Sequence, residues 1–122
     1  MIVPLQVIRI LDETITPPGP KMVVSIHPEE GWFYRINTKN VWRPAVPIKC
    51  GPEHPFLDHD SHIECGDPLM LDDYLVEQAI KKLGVIGTVS KALCEPMIEA
   101  LNEARYLSED DKTAIRTILQ NC

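Results

Sequence analysis

The chain has 122 residues, a net charge of −6, 44% hydrophobic residues and 25% charged residues; that length and balance describe one self-sufficient domain and exclude a disordered protein. No apolar run approaches the roughly 18 residues needed to span a bilayer, and Met1–Leu5 lacks a basic segment ahead of a long apolar one, so neither a membrane span nor a signal peptide is expected. The acidic balance also excludes non-specific nucleic-acid binding by the whole surface.

Ile2–Leu11 is rich in Ile, Val and Leu and predicts a first strand. Thr16-Pro17-Pro18-Gly19-Pro20 predicts a loop, since that composition suits neither helix nor strand. Met22–Ile26 is a β-branched run between Pro20 and Pro28 and predicts a buried strand. Pro28-Glu29-Glu30-Gly31 predicts a turn, with Gly31 suited to positive φ. Trp32–Thr38 follows as a strand with Phe33, Arg35 and Asn37 on one face and Trp32, Tyr34, Ile36 and Thr38 on the other. Pro44 and Pro47 demote Val41–Ile48 to an edge strand or extended loop. His54–Pro68 has room for one short strand around Ser61–Cys65.

The period then becomes helical, with Leu71, Leu75, Ala79 and Leu83 expected in the core beside Val76 and Ile80. Asp72 and Asp73 suit the start of that helix, Lys81 and Lys82 its end, and Gly84 its C-cap. A second helix is expected near Ser90, turning Leu93, Met97, Ile98 and Leu101 inward, with Pro96 kinking it or setting its start. Met70 and Met97 are expected as packing residues and Cys94 as an inert thiol. Ser108-x-x-Asp111 resembles a capping box and predicts a last helix to about Gln120 that buries Ile115, Ile118 and Leu119. The expected class is α+β in a single domain over 1–122, β-rich over 1–66 and helical over 67–122.

From Gly31 to Pro52 there is no Asp or Glu, yet the window holds Arg35, Lys39, Arg43 and Lys49 with Trp32, Phe33, Tyr34 and Trp42. Cations that track phosphates and rings that stack on bases suit single-stranded RNA. The competing reading puts Trp32, Tyr34 and Trp42 in a core and leaves the cations solvated.

His54–Cys65 gathers three histidines, three carboxylates and a thiol. With Cys50 it forms Cys-x3-His-x7-His-x2-Cys, a spacing that matches no common zinc finger or ribbon, so no metal and no other cofactor is expected. Asp60-Ser61-His62 is a tripeptide whose neighbours face opposite ways on a strand; Asp60 or Ser61 is expected to hold a turn, while His59 or His62 could shuttle a proton. Four cysteines without a C-x-x-C pair suit reduced thiols and a cytoplasmic location.

Pro20-Lys21-Met22-Val23-Val24-Ser25, Ile36-Asn37-Thr38 and Val85-Ile86-Gly87-Thr88-Val89-Ser90 follow one another as three short motifs do in the PemK/MazF-like toxins, and the order of elements over roughly 1–105 resembles that family. The resemblance implies a small SH3-like barrel followed by two or three C-terminal helices. It implies a metal-independent endoribonuclease acting on single-stranded RNA, paired with an antitoxin protein, with a homodimer left open. The family's catalytic Arg corresponds to Lys21 here and its Thr or Ser to Thr38, with Arg43 and His59 as further candidates at the site. Lysine keeps the charge but not the bidentate fork that fits phosphate. A second registration takes Arg43-Pro44-Ala45-Val46 as the Arg-Pro strand with Ser61 as the hydroxyl partner. A non-catalytic binding module on the same barrel, contacting a protein or nucleic acid through Trp32–Arg43, is the alternative from a different class.

Overall fold

The computed structural model describes residues 2–12, 19–39 and 43–122. Its strands are β1 (Gln6–Asp12), β2 (Gly19–His27), β3 (Trp32–Asn37), β4 (Ala45–Ile48), β5 (Ser61–Glu64), β6 (Leu69–Met70) and β7 (Gly87–Thr88). Its α-helices are α1 (Asp73–Leu83), α2 (Cys94–Asn102) and α3 (Glu109–Gln120). The strands form one curled antiparallel sheet in the order β4-β5-β3-β2-β1-β7, with β6 also paired to β3, and the class is α+β.

Alternation along β3 divides the interior in two. Trp32, Tyr34 and Ile36 join Val7, Val24, Ile26 and Ile63 in a core closed by Met97, Leu101, Ile115 and Leu119 of α2 and α3. Phe33 faces the other way, with Ile8, Ile10, Val23 and Val76 of α1. Both faces of the sheet are therefore covered, which explains the near-continuous apolar runs in β1 and β2.

Local chemistry sets the boundaries. Gly31 has φ +72°, closes a turn by donating its N–H to Pro28 O at 3.2 Å, and leaves no room for a Cβ against the Leu71 carbonyl. Asp72 caps α1 by accepting from Leu75 N at 2.8 Å, and Gly84 ends that helix at φ +73°. Ser108 caps α3 by accepting from Asp111 N at 3.1 Å. Ser90 caps a 3-10 turn over Lys91–Leu93, and α2 proper starts at Cys94 with Pro96 in its first turn, where proline's missing N–H costs nothing.

Several expectations need correction. The first strand begins at Gln6, because Leu5 takes φ +73° and buries its side chain after a turn. Gly19 and Pro20 open β2 opposite Asp12 and Leu11 instead of lying in a loop, a position at a strand start that proline tolerates. Thr16–Pro18 and residues 41–42 lie outside the described residues. Leu75 and Leu83 are exposed, and α1 buries Val76 with Ala79 and Ile80 alongside. Met70 is 69% exposed, whereas Met97 is fully buried as expected. Among the described residues no helix is long and apolar enough to cross a membrane.

Candidate functional site

Antiparallel pairing sets the start of β2 beside the end of β3, and the start of β4 beside the end of β5, while the Ile36–Ile63 register brings Glu64 level with Arg35. An open groove of about 1180 Å³ lies there, and the turn between α2 and α3, residues 103–106, forms its far wall. That wall is fixed from α3. Lys112 Nζ donates to Asn102 O at 3.4 Å, and Arg116 donates to Asn102 Oδ1 at 2.7 Å, so the last residue of α2 is held by two cations. Lys112 is itself largely buried and pairs with Glu109 at 3.7 Å.

The groove gathers Lys21, Arg35, Thr38, Lys39 and Arg43 from the sequence-predicted set. Lys21 and Asn37 lie on adjacent strands, and Lys21 Nζ donates to Asn37 Oδ1. Asn37 Nδ2 donates in turn to Glu64 Oε1 at the end of β5. The result is a chain from cation through amide to carboxylate across three strands. Thr38, Lys39 and Arg43 are exposed at the rim.

The remaining predicted residues lie elsewhere. Lys49 and His59 flank β4 and β5 at the opposite end from Arg43 and Glu64. Trp32 is buried, its ring edge-on to His27 with centroids 5.2 Å apart. Trp42 falls outside the described residues. The second registration does not assemble: Ser61 pairs with Ile48, is buried, and donates to His59 O at 3.1 Å, far along the strand from Arg43.

Within the His54–Cys65 cluster, His54, Asp60 and Ser61 hold backbone groups. His54 Nδ1 meets Lys49 O at 3.0 Å and its Nε2 accepts from Ser90 N at 3.0 Å; with both neighbours assigned, the ring carries its proton on Nδ1. Asp60 accepts from Cys50 N at 3.0 Å, and together with Ser61 it holds the turn. The same Asp60 pushes the exposed Cys50 thiol up. Cys65 is fully buried, so burial pushes its thiol up as well. Cys50 and Cys65 thus sit in opposite environments, and among the described residues no three His, Cys, Asp or Glu side chains converge on a metal position.

Sequence reasoning missed Asn37 and Glu64 as site residues, and with them Asp67, Glu103, Arg105 and Tyr106. Asn37 carried a signal, since it shares the Arg35 face of β3. Glu64 and Glu103 carried none, because only the sheet order and the helical turn bring them to the acid-free segment. No family model matches the chain, and no curated protein or solved structure matches it at a significant level.

Proposed function

We propose that the groove binds single-stranded RNA and cleaves it without a metal, in the manner of the PemK/MazF-type toxins, with an acidic antitoxin segment as the competing occupant. The SH3-like barrel of that family is the finer reading of the curled sheet. The observation that supports this most is convergence: Lys21, Thr38 and Arg43, from β2, the end of β3 and the approach to β4, line one groove. In cleavage the 2′-oxygen bonds to the adjacent phosphorus as the P–O5′ bond breaks, leaving a 2′,3′-cyclic phosphate and a 5′-hydroxyl that takes its proton from water, and charge grows on the non-bridging oxygens on the way. Arg43 or Lys21 stabilises that charge, Thr38 donates to a phosphate oxygen, and Glu64 accepts the 2′-hydroxyl proton. Losing the cation that meets the phosphate costs about 2.7–4 kcal/mol, or about 100- to 1000-fold in rate.

One observation favours the alternative, a binding module without catalysis. Lys21 is engaged with Asn37 rather than directed at an incoming phosphate. A cleavage assay on a labelled single-stranded RNA, in the presence of chelator, separates the two. The catalytic reading expects product from wild type, near-complete loss in Arg43→Ala or Lys21→Ala, and a gain in Lys21→Arg. Intact RNA from both wild type and Lys21→Arg, with binding retained, assigns the groove to recognition alone.

A further inference from the structure

α2 and α3 form an antiparallel pair. The end of α2 meets α3 through Asn102, Lys112 and Arg116, so the start of α2 lies against the end of α3. That open end carries a cysteine on each strand of the hairpin. Cys94 begins α2 and is buried in the core, and Cys122 follows α3 and packs against the same cluster. The two thiols are near enough to act on each other electrostatically, and Cys122 Sγ donates to Ile118 O at 3.1 Å. Cys122 lines a second surface groove, of about 540 Å³, together with Lys91, Thr117 and Asn121.

We infer that Cys94 and Cys122 are an oxidisable dithiol, and that a peroxide converts them into a disulfide stapling the open end of the α2–α3 hairpin. The two sulfurs differ in exposure. Cys122 is the more accessible, and the Cys94 thiol and the Lys91 ammonium both favour its thiolate, although burial raises it overall. Cys94 is pushed up to about 11, chiefly by burial, and stays protonated as the resolving partner. The Cys122 sulfur attacks the peroxide O–O bond, giving a sulfenic acid and releasing water when the peroxide is hydrogen peroxide. Cys94 sulfur then displaces the sulfenic hydroxyl, the S–S bond forms, and a second water leaves with the Cys94 proton. Both thiols are oxidised and one peroxide is reduced, so atoms and electrons balance. Cys65 is sealed in the core and Cys50 is exposed just after β4, so neither competes for the intramolecular bond.

The staple closes the hairpin whose turn walls the groove, but the inference stands on the placement of the two cysteines at the adjoining ends of α2 and α3, against one core cluster. The test is hydrogen peroxide treatment of the full chain carrying Cys50→Ser, followed by alkylation under denaturing conditions and non-reducing peptide mapping. The expected result is loss of two alkylatable thiols, a Cys94–Cys122 cross-linked peptide, and recovery of both on reduction. Thermal unfolding of the oxidised protein should shift upward and return with reductant. Adding Cys122→Ser should leave Cys94 fully alkylatable after peroxide. A Cys122 sulfinic acid with Cys94 still free, or cross-links between molecules only, overturns the inference.

Discussion

The ammonium of Lys21 donates to the side-chain oxygen of Asn37, and this bond joins the start of β2 to the end of β3 at the mouth of the groove. Asn37 passes the polarity on to Glu64, so the groove carries a carboxylate that the acid-free segment does not reveal. Glu64, Asp67 and Glu103 stand among Lys21, Arg35, Lys39, Arg43 and Arg105, which makes the groove mixed in charge and only mildly basic.

Glu64→Gln therefore separates binding from chemistry. Removing one negative charge at the groove should tighten single-stranded RNA binding by about 2- to 5-fold at low salt, where Coulomb terms are least screened. If Glu64 takes the 2′-hydroxyl proton, the same variant should lose about 100-fold in cleavage, within the usual range for a general base. Anisotropy with a labelled oligoribonucleotide and a single-turnover assay read the two effects. Weaker binding with unchanged cleavage would contradict both roles.

Salt dependence follows from the same inventory. Even if every groove cation displaced a counterion, the slope of log K against log salt would be no steeper than about −3.5 for single strands, and the carboxylates reduce it further. A steeper slope would place binding on another surface.

His54 supports the opposite end of the fold. Its ring satisfies a backbone carbonyl at Lys49 and a backbone N–H at Ser90, tying the loop after β4 to the cap ahead of α2. His54→Ala leaves both groups without that partner at a part-buried place and should cost about 1–2 kcal/mol, measured by urea unfolding. A cost below about 0.5 kcal/mol would show that the tie is not structural.

The core makes the protein sensitive to alkali. Burial raises Tyr34 and Cys65 far above their ordinary values and lifts Cys94 to about 11, against a usual thiol value of 9.0. The folded state thus keeps protons that the unfolded chain releases above about pH 9. Stability from these groups is fully present below that pH and lost as pH rises through the range between the unfolded and folded values. The urea midpoint should fall between about pH 8 and about pH 10.5, and a Tyr34→Phe, Cys65→Ala double variant should flatten the fall. Tyr34→Phe alone should be neutral or slightly stabilising near neutral pH, because the buried hydroxyl has no hydrogen-bond partner among the described residues. An unchanged midpoint across that pH range would contradict this account.

What was legible in the sequence was mostly local. The two-faced pattern of β3, the Pro28–Gly31 turn, the edge position of β4 and the caps at Asp72, Gly84 and Ser108 each depend on a few neighbouring residues. The α1 stripe misled because a strict four-residue repeat drifts about 40° per step on a helix of 3.6 residues per turn. Leu71 lies ahead of the helix and is buried, Leu75 and Leu83 turn to solvent, and Val76 takes the buried position with Ala79 and Ile80 half-buried beside it. β6 and β7 have only two residues each, too short for any period to show, and pairing alone makes them strands. Glu64 was invisible as a site residue because its nearness to Asn37 is set by the β3–β5 ladder, across a sequence separation no local rule reaches.

The groove as the RNA site is tested most directly by charge reversal at its two exposed rim cations against a control cation that does not line it. Lys39→Glu with Arg43→Glu, both solvent-facing, should leave the fold intact, as should Lys49→Glu. Binding of a labelled single-stranded oligoribonucleotide at low salt is then compared across wild type, the double variant and the control. The account predicts at least about a 10-fold loss in the double variant and wild-type affinity in Lys49→Glu, since only the former reverses charge in the groove. Equal affinity in the double variant and wild type, or a loss confined to Lys49→Glu, would contradict it.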